Sequence, residues 1–304
     1  MNVLLTGSSG FIGSYILREL VRCGHTVKCL VRNPDKRMVA ESVDVTKVQG
    51  DILDANSLRR AVEGCDAVIH LVGIIDEDKK KGITFEQIHH QGTINISAAA
   101  KDSGVQRFVQ MSANGASPTG VSSYLTSKWE AEKAVEEAGF AHSVIIRPSL
   151  VFGKPEDGQP EFCTRLAETL ISKFPILPVF GDALYRMQPI HVTEIASAFL
   201  QAMVSDKHAG QTYVAVGKQS FTYLEILDLI TQGMGMRPKK KIHQPVWLVR
   251  PMISRLSGTG ALPISIDQFE MLLQGNIGND EPFYTSFDLE NRPFDTTNLA
   301  YLRK

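Results

Sequence analysis

The feature that most constrains the fold of this chain is a strand, a glycine turn and a helix in direct succession at its start. The apolar run NVLLT leads into TGSSGFIG, and the next residues, IGSYILRELVRC, place apolar side chains at helical spacing. Glycine recurs at every third position, as Gly7, Gly10 and Gly13. Such a succession is typical of the first unit of a parallel sheet that helices cover on both faces.

The same alternation of short apolar runs and longer helical runs continues through TVKCLV, VTKVQGD, SLRRAVEG and DAVIHLVG. It predicts an α/β fold with a doubly wound parallel sheet. After Pro148 proline and glycine become frequent, which indicates loops around a cleft, whereas QTYVAVG predicts one more strand returning to the sheet. We therefore predict a sheet domain made of residues 1–150 and 186–216, and a smaller C-terminal substrate lobe made of residues 151–185 and 217–304.

Composition narrows the functional classes. The chain has 32 basic and 33 acidic residues, so no global field draws it to nucleic acid, and we expect no nucleic-acid partner. The first apolar run is too short for a secretion leader, and no run reaches the roughly 20 apolar residues of a transmembrane helix. We therefore expect a cytoplasmic protein. His89 and His90 stand apart from any acidic ligand set in the sequence, so no metal site is expected.

The glycine turn predicts a phosphate-binding site. Gly7 permits the sharp turn, Gly10 lets backbone amides approach a pyrophosphate, and Gly13 lets the helix lie close to the sheet. The N-terminus of the following helix then presents N–H groups to the phosphate charge. The candidate contacts in this turn are Gly7, Ser9, Gly10, Phe11, Ile12 and Gly13.

The ends of the next strands predict the rest of a dinucleotide pocket. The second strand ends in CLVRN, so Arg32, followed by Asn33, stands where an acidic residue would bind the ribose hydroxyls of NAD(H). A guanidinium pairs with a 2′-phosphate, which favours NADP(H), with NAD(H) as the alternative. Further candidate contacts follow the third and fourth strands: Asp51 and Ile52 beside the adenine, and Val72 and Gly73 beside the cofactor.

Tyr124 and Lys128 are the leading catalytic candidates. They are four residues apart in SSYLTSKWEAE, on a predicted helix, and so share one face. Hydride transfer at a carbon that bears oxygen also requires a proton to move at that oxygen, and a phenol can move it. A neighbouring ammonium would favour the phenolate, and Lys128 would also reach the nicotinamide ribose.

The glycine turn, Tyr124 with Lys128, and IIRPSLVFG together resemble the extended short-chain dehydrogenase/reductase superfamily, of the NAD-dependent epimerase/dehydratase type. RFVQMSANGA, YLTSKWEAE and PVFGDALYRMQPIHVTEIA are most similar to its atypical branch, which contains the nucleotide-binding accessory subunit of respiratory complex I and its bacterial relatives. The resemblance implies a Rossmann domain under a substrate lobe, and NADPH binding that serves assembly or stability in that branch. It also implies that Pro148, Ser149 and Leu150 line the nicotinamide carboxamide.

One position departs from the pattern of the superfamily. Extended members place Ser or Thr just beyond the fifth strand to polarise the substrate oxygen, whereas alignment of RFVQMSAN puts Ala113 there. Ser112, one residue earlier, and Asn114, one residue later, are the candidate replacements because either side chain can donate a hydrogen bond to an oxyanion. Alternatively, Ser112 contacts the nicotinamide ribose and not the substrate oxygen.

Two functional hypotheses follow. The first is an oxidoreductase or a sugar-nucleotide-type epimerase or dehydratase that acts on an unidentified small-molecule substrate with the Tyr124 and Lys128 pair. The second is a non-catalytic nucleotide-binding scaffold or assembly subunit of a respiratory-type complex. Peripheral membrane docking or protein-complex docking stays open for residues 239–256, where lysines precede an amphipathic helix, although simple packing of that helix on the lobe is the alternative.

Overall fold

Seven parallel strands form the centre of the molecule, in a computed structural model that describes residues 1–35, 43–156, 161–257 and 264–303. The described residues also form shorter strands outside this sheet. In chain order, all the strands are β1 (Asn2–Thr6), β2 (Thr26–Val31), β3 (Val45–Gln49), β4 (Ala67–His70), β5 (Arg107–Met111), β6 (His142–Pro148), β7 (Val151–Phe152), β8 (Leu177–Phe180), β9 (Arg186–Met187), β10 (Ile190–His191), β11 (Gln211–Ala215), β12 (Phe221–Thr222) and β13 (Lys241–Gln244).

The main sheet has the order β3-β2-β1-β4-β5-β6-β11, and every neighbouring pair is parallel. The α-helices are α1 (Phe11–Arg22), α2 (Ala55–Val62), α3 (Gly92–Asp102), α4 (Ser123–Ala138), α5 (Phe162–Leu166), α6 (Val192–Val204), α7 (Tyr223–Gly233), α8 (Val246–Leu256), α9 (Ile266–Gln274) and α10 (Glu281–Ser286). This architecture confirms the predicted doubly wound sheet, including the return of β11 to its edge.

Helices cover both faces of the sheet, which explains why the central strand β1 is apolar without alternation. Val3 and Leu5 of β1 pack into a cluster with α1 and α6, whereas Leu4 packs into the cluster with α2, α3 and α4. Successive strand residues point to opposite faces, so both faces need apolar side chains. The NVLLT run therefore fits a central strand.

The C-terminal part adds a second group of elements. Strands β8 and β13 pair with each other, and α5 and α7 share an apolar cluster with β8. Helices α8 and α9 pack together around Phe269. The N-terminus of α9 contacts the sheet domain, because Asp267 Oδ1 accepts a hydrogen bond of 2.8 Å from the Ser123 N–H. The exact division of the chain into two domains stays a prediction.

Helix lengths bear on membrane insertion. Within the described ranges, no helix is both long enough and apolar enough to cross a bilayer.

Candidate functional site

The candidate site lies at the carboxyl ends of β1, β4 and β5. β1 is the branch point of the sheet: β2 and β3 follow on one side of it, and β4 lies on the other side. The connections that leave β1 and β4 therefore run in opposite directions and leave a crevice between them. In open α/β sheets such a crevice is where ligands bind.

The glycine turn between β1 and α1 is tightly closed. Gly7 has φ +75°, and its carbonyl oxygen accepts a hydrogen bond of 3.0 Å from the Gly10 N–H. A Cβ on Gly13 would lie 2.1 Å from the Gly7 oxygen, so only glycine fits where the helix passes the turn. Gly10 is the N-cap of α1 and offers no side-chain cap, which leaves the first-turn amides to an anion.

Residues 71–73, just after β4, connect this turn to the catalytic candidates. A Cβ on Gly7 would touch the backbone of Leu71 and Val72 at 3.2–3.3 Å. On the other side, a Cβ on Gly73 would lie 3.0 Å from Lys128 Nζ. The glycine turn and Lys128 therefore flank the same short stretch of backbone.

The positions predicted to read the adenosine half lie at the neighbouring strand ends. Arg32 follows β2, is exposed, and forms no ion pair with any residue that the structure describes. Asn33 Oδ1 accepts a hydrogen bond from the Asp35 N–H at 2.9 Å. Asp51 Oδ1 similarly accepts one from the Leu53 N–H at 2.9 Å, and Ile52 is buried. Among the residues that the structure describes, the guanidinium of Arg32 therefore has no anionic partner.

Tyr124 is held by two aromatic rings. It lies in the first turn of α4, where Ser122 caps the helix through the Leu125 N–H. The rings of Phe85 and His89 meet the tyrosine ring edge-on, with centroids 5.7 Å and 5.3 Å away. This apolar surrounding raises the pKa of Tyr124 to about 12, because it disfavours the phenolate.

Lys128 is a buried amine, one turn along α4. Its Nζ donates a hydrogen bond of 3.2 Å to the Met111 carbonyl at the end of β5. Desolvation lowers its pKa to about 8. Glu132, one turn further, would be its natural counter-ion, but that carboxylate binds Arg147 through two hydrogen bonds of 2.7 Å and 2.5 Å.

We predict that Lys128→Met stabilises the ligand-free protein. Below pH 8 the native chain buries an ammonium, and a pKa shift from 10.5 to about 8 corresponds to roughly 3 kcal/mol. Loss of the bond to Met111 offsets about 1 kcal/mol. We expect the free energy of unfolding in urea at pH 7 to rise by about 2 kcal/mol.

The pH dependence of the free energy of unfolding shows whether charge burial causes the difference between the parent protein and Lys128→Met. Between pH 8 and 10.5 the native chain loses the proton while the unfolded chain keeps it, so the parent protein gains stability with rising pH and the difference from Lys128→Met shrinks. Lys207→Met, at an exposed lysine, should show no such convergence. A pH-independent difference would mean that repacking, and not charge burial, is responsible.

His89 is a site residue that sequence reasoning missed. Its Nε2 accepts a hydrogen bond from the Ile74 N–H at 3.0 Å, which places the ring proton on Nδ1, 2.8 Å from Ser127 Oγ. Ser127 in turn donates to the Tyr124 carbonyl at 2.9 Å. Desolvation, and then Lys128, lower the pKa of His89 to about 2, so the ring is neutral. It joins the end of β4 to the first turn of α4.

A π-helical turn, Glu86–Gln91, carries His89 into this position and runs directly into α3. The expectation that His90 stands apart from acidic groups is wrong, because the ligand atoms of Glu86, His90 and Glu130 lie within 4.8 Å of one another. His90 Nδ1 already bonds to Glu86 at 2.8 Å, and none of the three side chains is buried. The expectation of no metal stays a prediction.

Ser112 and Asn114, the two replacements considered for Ala113, differ in their surroundings. Ser112 Oγ is buried and has no hydrogen-bond partner among the described residues. Asn114 Nδ2 donates to Asn276 Oδ1 at 2.5 Å and to the Ile277 carbonyl at 3.0 Å. Both amide hydrogens of Asn114 are thus used to fix the C-terminal segment, whereas Ser112 keeps a free donor.

Pro148 ends β6 beside this cluster, and Ser149 and Leu150 follow it. The Pro148 carbonyl accepts a hydrogen bond from the Asn114 N–H at 2.9 Å, which ties the two strand ends together. The Ser149 hydroxyl donates to the Gln188 carbonyl at 2.5 Å. The structure therefore brings Ser112, Asn114 and the 148–150 segment to one edge, and their roles toward a cofactor stay predictions.

Comparison with known proteins adds three similarities. The family model described as "NAD dependent epimerase/dehydratase family" matches residues 3–216. The chain is 27% identical over 300 residues to the mitochondrial NADH-ubiquinone oxidoreductase 40 kDa subunit of Neurospora crassa, covering 97% of this chain and 76% of that protein. It is 29% identical over 238 residues to ceramide reductase of Caulobacter vibrioides, covering 78% of this chain and 72% of that protein.

Among solved structures, the fold is similar to that of UDP-glucuronic acid 4-epimerase from Bacillus cereus in complex with UDP-glucuronic acid and NAD. The TM-score is 0.77 at 17% identity, over 99% of this chain and 98% of that one. At this identity the likeness shows the shared fold.

The Neurospora relative corrects one expectation. The sequence led us to treat a small-molecule substrate as the main partner and docking to a protein complex as an open alternative. A protein that matches nearly the whole chain is named as a subunit of a larger enzyme. The expectation that left docking to a protein complex as no more than an open alternative is therefore corrected by this relative. A cytoplasmic location, expected from the sequence, is not confirmed, because the relative is mitochondrial.

Proposed function

Because the chain belongs to the NAD dependent epimerase/dehydratase family, within the extended short-chain dehydrogenases/reductases, we propose that it binds NADP(H) along the carboxyl edge of its sheet and acts as a reductase. Tyr124 moves the proton in this proposal. The observation that carries it is the shared position of the uncapped α1 N-terminus and Lys128 on the two sides of residues 71–73.

The residues of the crevice fit such a cofactor. The glycine turn leaves no room for a side chain at Gly13, and the N-terminal amides of α1 are uncapped, as a pyrophosphate requires. Arg32 would hold a 2′-phosphate, and Lys128 the nicotinamide ribose. The remaining proposed contacts are Ser9, Phe11, Ile12, Asn33, Asp51, Ile52, Val72, Gly73, Pro148, Ser149 and Leu150.

The hydroxyl of Tyr124 carries the proton that the proposed reduction needs. Burial raises the pKa of Tyr124 to about 12, so the phenol is protonated at neutral pH in the ligand-free protein. The bound nicotinamide would supply a hydride. Tyr124 would give its proton to the carbonyl oxygen of the substrate, and Ser112 Oγ, buried and unpartnered among the described residues, would orient that oxygen.

One relative with a printed activity supports a reductase. Ceramide reductase of Caulobacter vibrioides is a reductase by name and aligns with 78% of this chain. A carbonyl panel for this protein should therefore include long-chain ketones beside keto sugars and sugar nucleotides, with NADPH oxidation at 340 nm as the standard readout.

Calorimetry with NADPH and NADH tests cofactor binding and choice. Arg32→Asp replaces this exposed cation by an anion, and we expect NADPH affinity to fall about 10- to 100-fold while NADH affinity changes little. Arg60→Asp, at an exposed arginine of α2, makes the same charge change away from the crevice and is the control. Equal losses for both nucleotides would contradict the 2′-phosphate contact, and no heat with either would end the proposal.

A second candidate function has specific support. The Neurospora relative is named as an oxidoreductase subunit, and Ala113 stands where extended reductases carry a hydroxyl. Asn114, one of the two replacements, is already bonded to Asn276 and Ile277. The alternative is a nucleotide-binding subunit of a respiratory-type complex, in which bound NADPH stabilises the fold without turnover.

A further inference from the structure

Helix α8 is apolar on two opposite faces. Val249 and Ile253 are buried and pack on Phe269 of α9. On the other side Trp247 is 76% exposed, Leu248 55% and Met252 48%. The buried face explains why α8 folds against the lobe, but nothing in that packing requires the second apolar face.

The exposed side chains form a stripe. Trp247, Leu248, Pro251 and Met252 have i, i+1, i+4 and i+5 spacing, so they lie on one side of the helix. Single exposed apolar residues are ordinary on protein surfaces, but a continuous stripe that contains tryptophan marks a contact surface. We call Trp247, Leu248, Pro251 and Met252 the α8 stripe.

The charge around the α8 stripe has one sign. No Asp or Glu occurs between Asp228 and Asp267, whereas this interval contains six basic residues, Arg237, Lys239, Lys240, Lys241, Arg250 and Arg255. The chain as a whole is balanced at a net charge of −1, so the excess is local.

Half of these cations have partners in the protein. Lys241 pairs with Asp228, Arg250 with Glu270, and Lys239 donates to the carbonyls of Ile171 and Phe174. Arg237, Lys240 and Arg255 are exposed and form no ion pair in the part of the chain that the structure covers. Their charge is therefore available to an external anion.

We propose that the α8 stripe docks on the surface of a membrane that contains anionic lipids. An apolar face set among unpaired cations suits an interface in which acyl chains lie beneath a plane of negative headgroups. Tryptophan favours that depth because one end of its ring is apolar and the other can hydrogen-bond. Arg255 can extend along the stripe and keep its guanidinium at the headgroups. This docking goes beyond the proposed reductase function and does not depend on it.

Trp247 itself reports the contact. The chain has two tryptophans, so in a Trp129→Phe background the emission comes from Trp247 alone. Vesicles of phosphatidylcholine mixed with phosphatidylglycerol should shift this emission to the blue and co-sediment the protein. Pure phosphatidylcholine vesicles should bind far less, and added salt should weaken binding to the mixed vesicles.

Two variants separate the apolar and charged contributions. Leu248→Ser should weaken binding to the mixed vesicles about tenfold, because one large apolar side chain no longer enters the bilayer. Lys240→Glu combined with Arg255→Glu should weaken it at least as much and reduce its salt dependence. Val204→Ser, at a 44% exposed valine that ends α6, should leave binding unchanged and is the matched control.

Three results would overturn the proposal. The first is an emission of Trp247 that stays unchanged with anionic vesicles. The second is equal loss of binding for Val204→Ser and Leu248→Ser. The third is a blue shift that follows protein concentration without lipid, together with a dimer in size-exclusion chromatography that Leu248→Ser dissociates, because the stripe would then join two copies of the chain.

Discussion

Gly13→Ala should destabilise the protein by about 3 kcal/mol or more and lower its affinity for NADPH about 100-fold. A Cβ at this position would lie 2.1 Å from the Gly7 carbonyl oxygen and 2.9 Å from the Ser8 Cα. Both neighbours are backbone, so α1 must move away from the turn. The movement would break the alignment of the first-turn amides that the phosphate needs. Urea unfolding and calorimetry measure the two losses.

Gly10→Ala, in the same turn, is the matched control for the loss of stability. Its Cβ would meet the Gly7 oxygen at 3.3 Å, and its φ of −88° is ordinary for alanine. We expect near-normal stability, but weaker NADPH binding, because the added methyl group stands where the pyrophosphate approaches the backbone. If Gly13→Ala lost stability and kept full affinity, the phosphate site would lie elsewhere.

Tyr124→Phe should lower carbonyl reduction about 1,000-fold while NADPH affinity changes less than about threefold. The tyrosine hydroxyl makes no hydrogen bond to any residue for which the structure gives a position, and phenylalanine keeps the edge-on contacts with Phe85 and His89. The free energy of unfolding should therefore stay within about 1 kcal/mol of the parent value. Single-turnover NADPH oxidation in the carbonyl panel separates the chemical step from binding.

Tyr213→Phe controls for the loss of a tyrosine hydroxyl. This tyrosine lies on β11 and bonds to His208 at 2.9 Å, away from the crevice, so we expect turnover to be kept. The two functional proposals predict different results for the parent protein. If it binds NADPH but reduces no carbonyl, and Tyr124→Phe alters only stability or assembly, the subunit function is correct and the reductase proposal is wrong.

The parts of the site that the sequence predicts are those encoded by neighbouring residues. The glycine turn is continuous in the chain, and its role follows from the spacing of Gly7, Gly10 and Gly13. The helix of Tyr124 is equally local: Ser122 caps its start, and Gly139, at φ +62°, ends it. The alternation of strands and helices then determines which strand ends meet at the crevice.

The parts that the sequence does not predict depend on distant contacts. His89 bonds to Ile74, 15 residues away, and to Ser127, 38 residues away, and no spacing rule connects these positions. The side chain of Asn114 is able to donate a hydrogen bond to an oxyanion, but in the structure it donates to Asn276, which is 162 residues away in the chain. Burial is also hard to foresee: desolvation raises the pKa of Tyr124 in the ligand-free protein, and the expected opposite effect of the ammonium with a bound nicotinamide stays a prediction.

The number of residues in the π-helical turn Glu86–Gln91 determines whether the arrangement around Tyr124 can form. A π-helical turn holds one residue more than an α-helical turn, so deletion of a single residue there would restore regular geometry. Every side chain before the deletion would then rotate by about 100° around the axis while α3 stayed in place. His89 would leave Ser127, and the tyrosine would lose both of the rings that hold it, because Phe85 precedes His89 and rotates with it. A homologue that is one residue shorter at this point should therefore lack the arrangement even if it retains both the tyrosine and the lysine.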